Sequence, residues 1–112
     1  MIPSSRKVNK DLFGALMKKG YSYASPDFVA RVFFDESLSP ARFSVVVAKK
    51  LEKSAVQRNT LKRRVYSLLR PYLRLVRPGT VCALFIRKKI NKKDLFSLMA
   101  EIDMFFKKSK LL

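Results

Sequence analysis

The sequence predicts an α+β fold: a small mixed sheet of about four strands packed with three helices, in the order α-β-β-β-α-β-α. Three observations lead to this prediction. Short runs rich in β-branched and aromatic residues alternate with segments whose apolar residues recur at helical spacing. Capping residues precede the helical segments, and Gly20 and Pro71 mark the ends of the first two. The length of 112 residues suits one domain, residues 1–112, with one apolar core.

The first half of the chain predicts one helix followed by strands. The helix covers residues 9–19, because Asn9 is a good N-cap and Gly20 can close the helix. One side of it carries four apolar residues: Leu12, Phe13, Leu16 and Met17. The predicted extended segments are residues 21–24, 28–34 and 42–48, and a turn covers residues 35–40.

The second half predicts a helix, a buried strand and a last helix. Ser54 and Gln57 have the spacing of a capping box, so the second helix begins at about Ala55. Pro71 disfavours helical geometry at the residue before it, and the helix is expected to kink or end there. The strand covers residues 80–86, and Asn91 and Asp94 begin the last helix. The predicted core contains Phe43, Val45, Val47, Val81, Ala83, Phe85, Leu61, Val65, Leu68, Leu98 and Ile102, with Cys82 as a small buried apolar residue.

The charge balance indicates a polyanionic partner. Lys and Arg total 25 against eight acidic residues, so the formal net charge is +17. Such an excess attracts nucleic acids or anionic membranes. No apolar run approaches the roughly 20 residues needed to span a bilayer, and residues 1–7 lack the apolar core of a signal peptide. We therefore expect a cytoplasmic protein with a nucleic-acid partner and no membrane partner.

The residues of protein-based catalysis are missing from the sequence. It contains no histidine, and Asp35 and Glu36 are the only adjacent acidic residues. General acid–base or metal-dependent hydrolysis needs several convergent titratable groups. Gly14, Gly20 and Gly79 are isolated, so no glycine-rich phosphate loop is present. We expect no catalytic residues, no protein metal site and no nucleotide cofactor.

A basic segment, residues 49–64, is the most distinctive feature of the chain. On a helical wheel the apolar stripe of the second helix adjoins an arc formed by Arg58, Lys62, Tyr66, Asn59, Arg70 and Arg63. A solvated helix face is the ordinary explanation of a charge run. At this net charge we favour a binding site, because guanidinium groups bind phosphates bidentately and Asn59 can contact a backbone or a base.

At this segment the sequence resembles the bacterial ribonuclease P protein family. The family pattern is a strand ending in Lys-Lys, a short loop, and a helix with Ala-Val-x-Arg-Asn-Arg-x-Lys-Arg. The chain matches it at Lys49, Lys50, Ala55, Val56, Arg58, Asn59, Lys62 and Arg63. It departs from the pattern at Glu52, where Gly is common, and at Thr60 and Tyr66, where Arg is frequent. Phe13, Gly20 and the pair Phe28-Val29 match the family's opening pattern.

The resemblance implies both a fold and a mechanism. The fold is like domain 2 of ribosomal protein S5, with a parallel strand pair joined by a left-handed βαβ crossover. In the family, a large catalytic RNA uses Mg²⁺ to hydrolyse a phosphodiester and so removes the 5′ leader of precursor tRNA. The protein is then an RNA-binding subunit of an endoribonuclease, and Mg²⁺ is held mainly by the RNA.

The resemblance also implies two binding surfaces. The surface for the catalytic RNA consists of Lys49, Lys50, Lys53, Arg58, Asn59, Lys62, Arg63 and Arg64. The cleft for the single-stranded leader consists of Phe13, Met17, Arg31, Val46, Arg58, Asn59, Lys62 and Tyr66, with Arg63 beside it. Arg31 stands where the family often has an aromatic residue. We expect it on the concave side of the sheet, where it contacts a phosphate or stacks on a base.

Two other functions share some of these features. A structural RNA-binding module, such as a ribosomal protein, would show the same charge and the same lack of catalytic groups. A DNA-binding protein would insert the basic helix into a major groove, where Arg and Asn read base edges. No helix-turn-helix precedes the basic helix and no dimerisation element is visible, so we expect no DNA partner.

Overall fold

The structure of the chain is a computed structural model that describes residues 8–38 and 40–109. Within these residues the chain forms three α-helices and four strands in the predicted order. They are α1 (Lys10–Lys19), β1 (Tyr21–Ala24), β2 (Phe28–Phe34), β3 (Arg42–Val46), α2 (Ala55–Leu69), β4 (Thr80–Ile86) and α3 (Leu95–Lys108). The expectations for residues 1–7 and for both ends of the domain lie outside the described residues.

Local chemistry sets the ends of these elements. The side chain of Asn9 accepts a hydrogen bond from the backbone N–H of Leu12, and the side chain of Ser54 accepts one from Gln57. After Leu69 the chain continues as a single 3₁₀ turn, Arg70–Tyr72, because Pro71 cannot continue the helical hydrogen bonds. These starts and stops agree with the sequence patterns.

One strand is shorter than predicted. The sequence predicts a strand over residues 42–48, but β3 ends at Val46. The carbonyl of Ala48 accepts hydrogen bonds from the backbone N–H groups of both Leu51 and Glu52. The chain has therefore already entered a turn at Ala48, although the apolar pattern continues.

Two glycines allow close backbone approaches. A Cβ on Gly20 would lie 2.5 Å from the carbonyl oxygen of Leu16, so only glycine lets the chain pass from α1 directly into β1. Gly79 has a φ of +91°, and a Cβ there would lie 2.5 Å from the carbonyl oxygen of Asp35. The two glycines thus fix where α1 ends and where β4 begins beside β2.

The sheet has the strand order β1-β2-β4-β3. β1 pairs with β2 and β2 with β4 in antiparallel fashion, whereas β3 and β4 are parallel. α2 lies in the connection between the two parallel strands, as the resemblance implies. The left hand of that crossover stays a prediction.

The main core lies between one face of the sheet and the helices α2 and α3. Its aromatic centre is formed by α3, where Phe106 packs edge-on against Phe43 and stacks on Tyr72 with ring centroids 4.3 Å apart. Of the predicted core residues, nine are buried, namely Phe43, Val45, Val47, Val81, Ala83, Leu61, Val65, Leu98 and Ile102. Phe85 and Leu68 are only partly buried. Cys82 is fully buried as expected, and burial raises the pKa of its thiol.

A polar network joins the turn between β1 and β2 to α3. The carboxylate of Glu101 accepts hydrogen bonds from the backbone N–H of Asp27 and from the hydroxyl of Ser25. Asp27, only 2% exposed, forms an ion pair with Lys88 at 2.8 Å. The hydrogen bond to this carboxylate raises the pKa of Lys88.

No helix within residues 8–38 and 40–109 is both long and apolar enough to cross a bilayer.

Val45→Asp is expected to unfold the domain. Val45 is 4% exposed in the main core, and an unpaired carboxylate there should cost at least about 3 kcal/mol of stability. Val56→Asp is the matched control, because Val56 is 74% exposed on α2. Thermal melts followed by circular dichroism should show loss of the cooperative transition for the first variant alone. An unchanged melt of the Val45 variant would contradict the strand register.

Candidate nucleic-acid interface

Cations of the basic segment surround the first half of α2. Lys49, Lys50 and Lys53 are exposed on the loop before the helix, and Arg63 is exposed on the helix itself. The ion pairs of the described residues join Lys88 to Asp27 and Lys107 to Asp103. No cation of the segment takes part in them, so within the described part of the chain none of these cations is ion-paired with an acidic side chain.

Arg58 shapes the loop before α2. Its Nη1 donates hydrogen bonds to the carbonyl oxygens of Glu52 and Lys53, at 2.9 and 3.0 Å. The guanidinium group therefore ties the lysine-bearing loop to the first turn of the helix. Arg58 is partly exposed and its fork of donors is only partly used, so it can still meet a phosphate.

Thr60 and Arg63 form a second local arrangement on α2. The hydroxyl of Thr60 donates to the carbonyl oxygen of Val56 at 2.9 Å and accepts a long hydrogen bond of 3.4 Å from Nη2 of Arg63. Thr60 thus contributes orientation to a neighbouring guanidinium group and carries no charge itself. At about 100° per residue, Arg64 points about 120° away from Arg58 around the helix.

The opposite face of the sheet carries an apolar patch beneath α1. The rings of Phe13 and Phe85 lie 5.9 Å apart between centroids, and Val46 is the strand partner of Phe85. All three side chains are partly buried. Met17 is 47% exposed, so it does not belong to the buried stripe of α1, whose buried member is Leu16. We name Phe13, Val46 and Phe85 the α1 patch.

Arg31 lies on this same face of the sheet. It pairs in register with Ala83, as Val46 pairs with Phe85, and alternation along the strands places them on one side. Its guanidinium group donates to the carbonyl oxygens of Gly20 at 2.7 Å and Met17 at 3.2 Å.

Arg31 donates three further hydrogen bonds. Its Nε and Nη2 donate to the carbonyl oxygen of Leu16 at 3.4 and 3.5 Å, and its Nη1 donates to the hydroxyl of Ser22 at 2.9 Å. The Leu16 carbonyl also accepts the backbone N–H of Gly20, so Arg31 is an additional donor there. The last carbonyls of a helix lack intrahelical donors, and Arg31 supplies one to Met17 at the end of α1.

Arg31 thus lies on the face that carries Phe13 and Val46, and a leader running along that face stays a prediction. The guanidinium group, however, is bound to the helix end instead of being held free for a phosphate.

The placement of Tyr66 corrects the sequence-based expectation of a leader-facing ring. Tyr66 is 7% exposed and belongs to the main core. Its hydroxyl accepts a hydrogen bond from the backbone N–H of Val45 at 3.1 Å. Because β3 is an edge strand, this hydrogen bond attaches α2 to the open edge of the sheet. A wheel places Tyr66 beside the cations but does not reveal that this flank meets a strand edge.

The structure thus divides the predicted leader-cleft residues into two groups. Phe13, Arg31 and Val46 lie on the α1 face of the sheet. Arg58, Asn59 and Lys62 lie on α2, whose buried residues pack against the other face and whose Tyr66 reaches the β3 edge. Sequence reasoning assigned Phe85 to the core and missed its place in the α1 patch. Its position opposite Val46 depends on strand register, which single-sequence alternation does not give.

Comparisons with known proteins agree with this architecture. A protein-family model described as Ribonuclease P matches residues 3–110. The chain belongs to the ribonuclease P protein family. Membership gives it a role in tRNA processing as a protein component of ribonuclease P, which implies ribonuclease P RNA as its partner.

Two relatives in the family match over most of their length. The ribonuclease P protein component of Rippkaea orientalis is 28% identical over 104 residues, which cover 89% of this chain and 82% of the relative. The ribonuclease P protein component of Pseudanabaena is 25% identical over 113 residues, which cover 100% of this chain and 97% of the relative.

Solved structures of the family share the fold. A Staphylococcus aureus RNase P protein mutant with defective mRNA degradation activity has a TM-score of 0.81 at 21% identity, covering 96% of this chain and 91% of that one. The RNase P protein from Thermotoga maritima has a TM-score of 0.72 at 24% identity, and the match covers 86% of this chain and 89% of that one.

Arg31→Ala is expected to loosen the end of α1. Removal of a charged donor from several carbonyls should lower the free energy of unfolding by about 1–3 kcal/mol. Amide hydrogen exchange at Gly20 and in the last turn of α1 should accelerate more than exchange in β4. Lys18→Ala, an exposed change on the same helix, is the control. Equal protection of α1 in both variants would contradict the capping role.

Proposed function

We propose that this chain is the RNA-binding subunit of ribonuclease P, the enzyme that removes the 5′ leader from precursor tRNA. The observation that carries the proposal is the basic segment, whose cations have no acidic partners among the described residues. In this proposal the protein binds and positions RNA, while the catalytic RNA and its Mg²⁺ ions carry out the hydrolysis.

The catalytic RNA is proposed to bind the loop before α2 and the exposed side of the helix. Exposed lysines contact phosphates as point charges, whereas arginines contact them bidentately. Arg58 fixes the loop, so the cations meet the RNA as one preformed surface with less conformational entropy to lose. The proposed residues are Lys49, Lys50, Lys53, Arg58, Asn59, Lys62, Arg63 and Arg64.

The single-stranded leader is proposed to lie across the α1 patch. Unpaired bases stack on aromatic side chains for about 1–3 kcal/mol each with little sequence preference. Phe13 and Phe85 offer partly exposed rings, and the half-exposed Met17 extends the apolar surface along α1. Arg58, Asn59 and Lys62 would follow the leader backbone where it passes the β3 edge.

Metal binding is assigned to the RNA in this proposal. Mg²⁺ prefers several oxygen ligands in octahedral geometry and is commonly held by carboxylates and phosphates. The described residues include no group of three or more His, Cys, Asp or Glu side chains placed to hold a metal ion. The donor set of residues 8–38 and 40–109 therefore does not fit a metal site.

Reconstitution with ribonuclease P RNA tests the proposal. The chain should raise the rate of precursor tRNA cleavage at low Mg²⁺, whereas a structural RNA-binding module would not. Binding to the RNA should weaken with salt, with a slope of log K against log salt of roughly −3.5 to −4.5 if about five phosphates are neutralised. Polylysine serves as a control for nonspecific charge. No stimulation beyond that of polylysine would refute the proposal, and tighter binding of duplex DNA would favour the major-groove alternative.

Arg31 is expected to affect the leader through α1. Arg31→Ala should weaken holoenzyme binding of precursor tRNA and leave the affinities for mature tRNA and for the catalytic RNA almost unchanged, because the α1 patch loses its fixed position. Arg31→Lys keeps the positive charge but lacks the planar guanidinium group, so it should restore little of the lost affinity for precursor tRNA. Equal losses for precursor and mature tRNA, measured by equilibrium binding, would exclude a role in leader recognition.

A further inference from the structure

A groove separates the first half of α2 from the loop that joins β4 to α3. Its volume is about 310 Å³, at the lower end of the roughly 300–1,000 Å³ of small-ligand sites. Arg64 lines it from the helix and Lys89 from the loop. Glu52 is the only acidic residue among the lining side chains, so the groove keeps a net positive charge.

The walls of the groove combine apolar and polar groups. Leu61 and Ile90, both buried in the main core, also line the groove. Val56 also lines it, although 74% of the residue is exposed to solvent. Gln57 adds an amide, which can donate to and accept from the edge of a base. Apolar surface beside hydrogen-bonding groups and two cations suits a base together with its phosphate.

The groove shares Arg64 with the proposed catalytic-RNA surface but lies on a different flank of α2 from Arg58, and it is separate from the α1 patch. Arg64 points about 120° away from Arg58 around α2. Leu61 and Ile90 belong to the core on the α2 and α3 side of the sheet, whereas the α1 patch lies on the other side. A nucleotide in the groove would therefore belong to the RNA that contacts α2, and a leader on the α1 patch would not reach it.

We propose that this groove binds one unstacked nucleotide of the catalytic RNA, with Arg64 and Lys89 on its phosphate and with Val56 and Gln57 beside its base. The inference rests on the proposed function, since it requires the chain to bind that RNA. Arg64 would then contact the RNA inside the groove, whereas Arg58 would contact it on another flank of α2. The RNA then contacts two flanks of α2, which fixes the rotation of the helix relative to the RNA.

Two variants test separately the contribution of the two cations and that of the free volume of the groove. Arg64→Ala with Lys89→Ala removes the cations, and Lys92→Ala with Lys93→Ala is the control, because it removes two exposed charges nearby. Gln57→Trp fills the groove and leaves every charge in place. Gln57 is exposed and its capping contact with Ser54 uses the backbone N–H, so the fold should be retained, as a thermal melt would verify.

The full-length protein and ribonuclease P RNA are used in equilibrium binding at several salt concentrations. The Arg64/Lys89 variant should bind about tenfold or more weakly than its control, with a salt slope less steep by about 1–2. Gln57→Trp should weaken binding by about fivefold or more at an unchanged slope, because the base can no longer enter the groove while every charge stays in place. Chemical probing should show one unpaired RNA nucleotide protected by the wild-type protein and reactive again with Gln57→Trp.

The possible failures are distinguishable. If the wild-type chain neither binds the RNA nor stimulates cleavage, the proposed function itself is wrong, and this inference with it. If the wild type binds but Gln57→Trp binds equally well, no nucleotide enters the groove. If the Arg64/Lys89 variant matches its control, the two cations do not contact the RNA. If the variants instead reduce the preference for precursor over mature tRNA at full RNA affinity, the assignment to the catalytic RNA is wrong.

Discussion

The repulsion among 25 basic side chains is the constraint on which the rest of this structure depends, since a net charge of +17 opposes any compact state. The few acidic residues are concentrated where they stabilise loops and α3. Asp27 pairs with Lys88, and Glu101 holds the turn between β1 and β2. Asp103 accepts a hydrogen bond from Tyr72, and burial together with this hydrogen bond raises the pKa of the Tyr72 hydroxyl to about 12. The cations of α2 are thereby left without acidic partners, and the apolar core must hold the helix in place.

The parts of the fold that were predictable are those set by neighbours in sequence. The Asn9 and Ser54 caps, the stop at Pro71 and the two longer strands follow from local steric and hydrogen-bonding preferences. Tyr66 was not predictable in the same way, because a helical wheel shows which residues share a flank and not what that flank meets. A strand edge with an unpaired backbone donor appears only once the sheet is assembled.

The candidate site shows the same division between local and tertiary information. The basic segment was recognisable because its residues are consecutive in the chain. The roles of Arg31 and Phe85 were not, because each depends on α1 crossing strands that are distant in sequence. Arg31 also illustrates how a residue can affect a binding surface without belonging to it. By completing the end of α1, it holds Phe13 over the sheet.

The contact between Tyr66 and Val45 has a consequence for self-association. An exposed edge strand offers a row of free backbone groups to which a strand of another molecule can add, and this is a common route to aggregation. β3 is the edge beside α2, and the Tyr66 hydroxyl occupies a donor in the middle of it. At the other edge, β1 has only four residues and offers a short template. A nascent copy awaiting its RNA is thus protected from sheet extension by a buried tyrosine as well as by mutual charge repulsion.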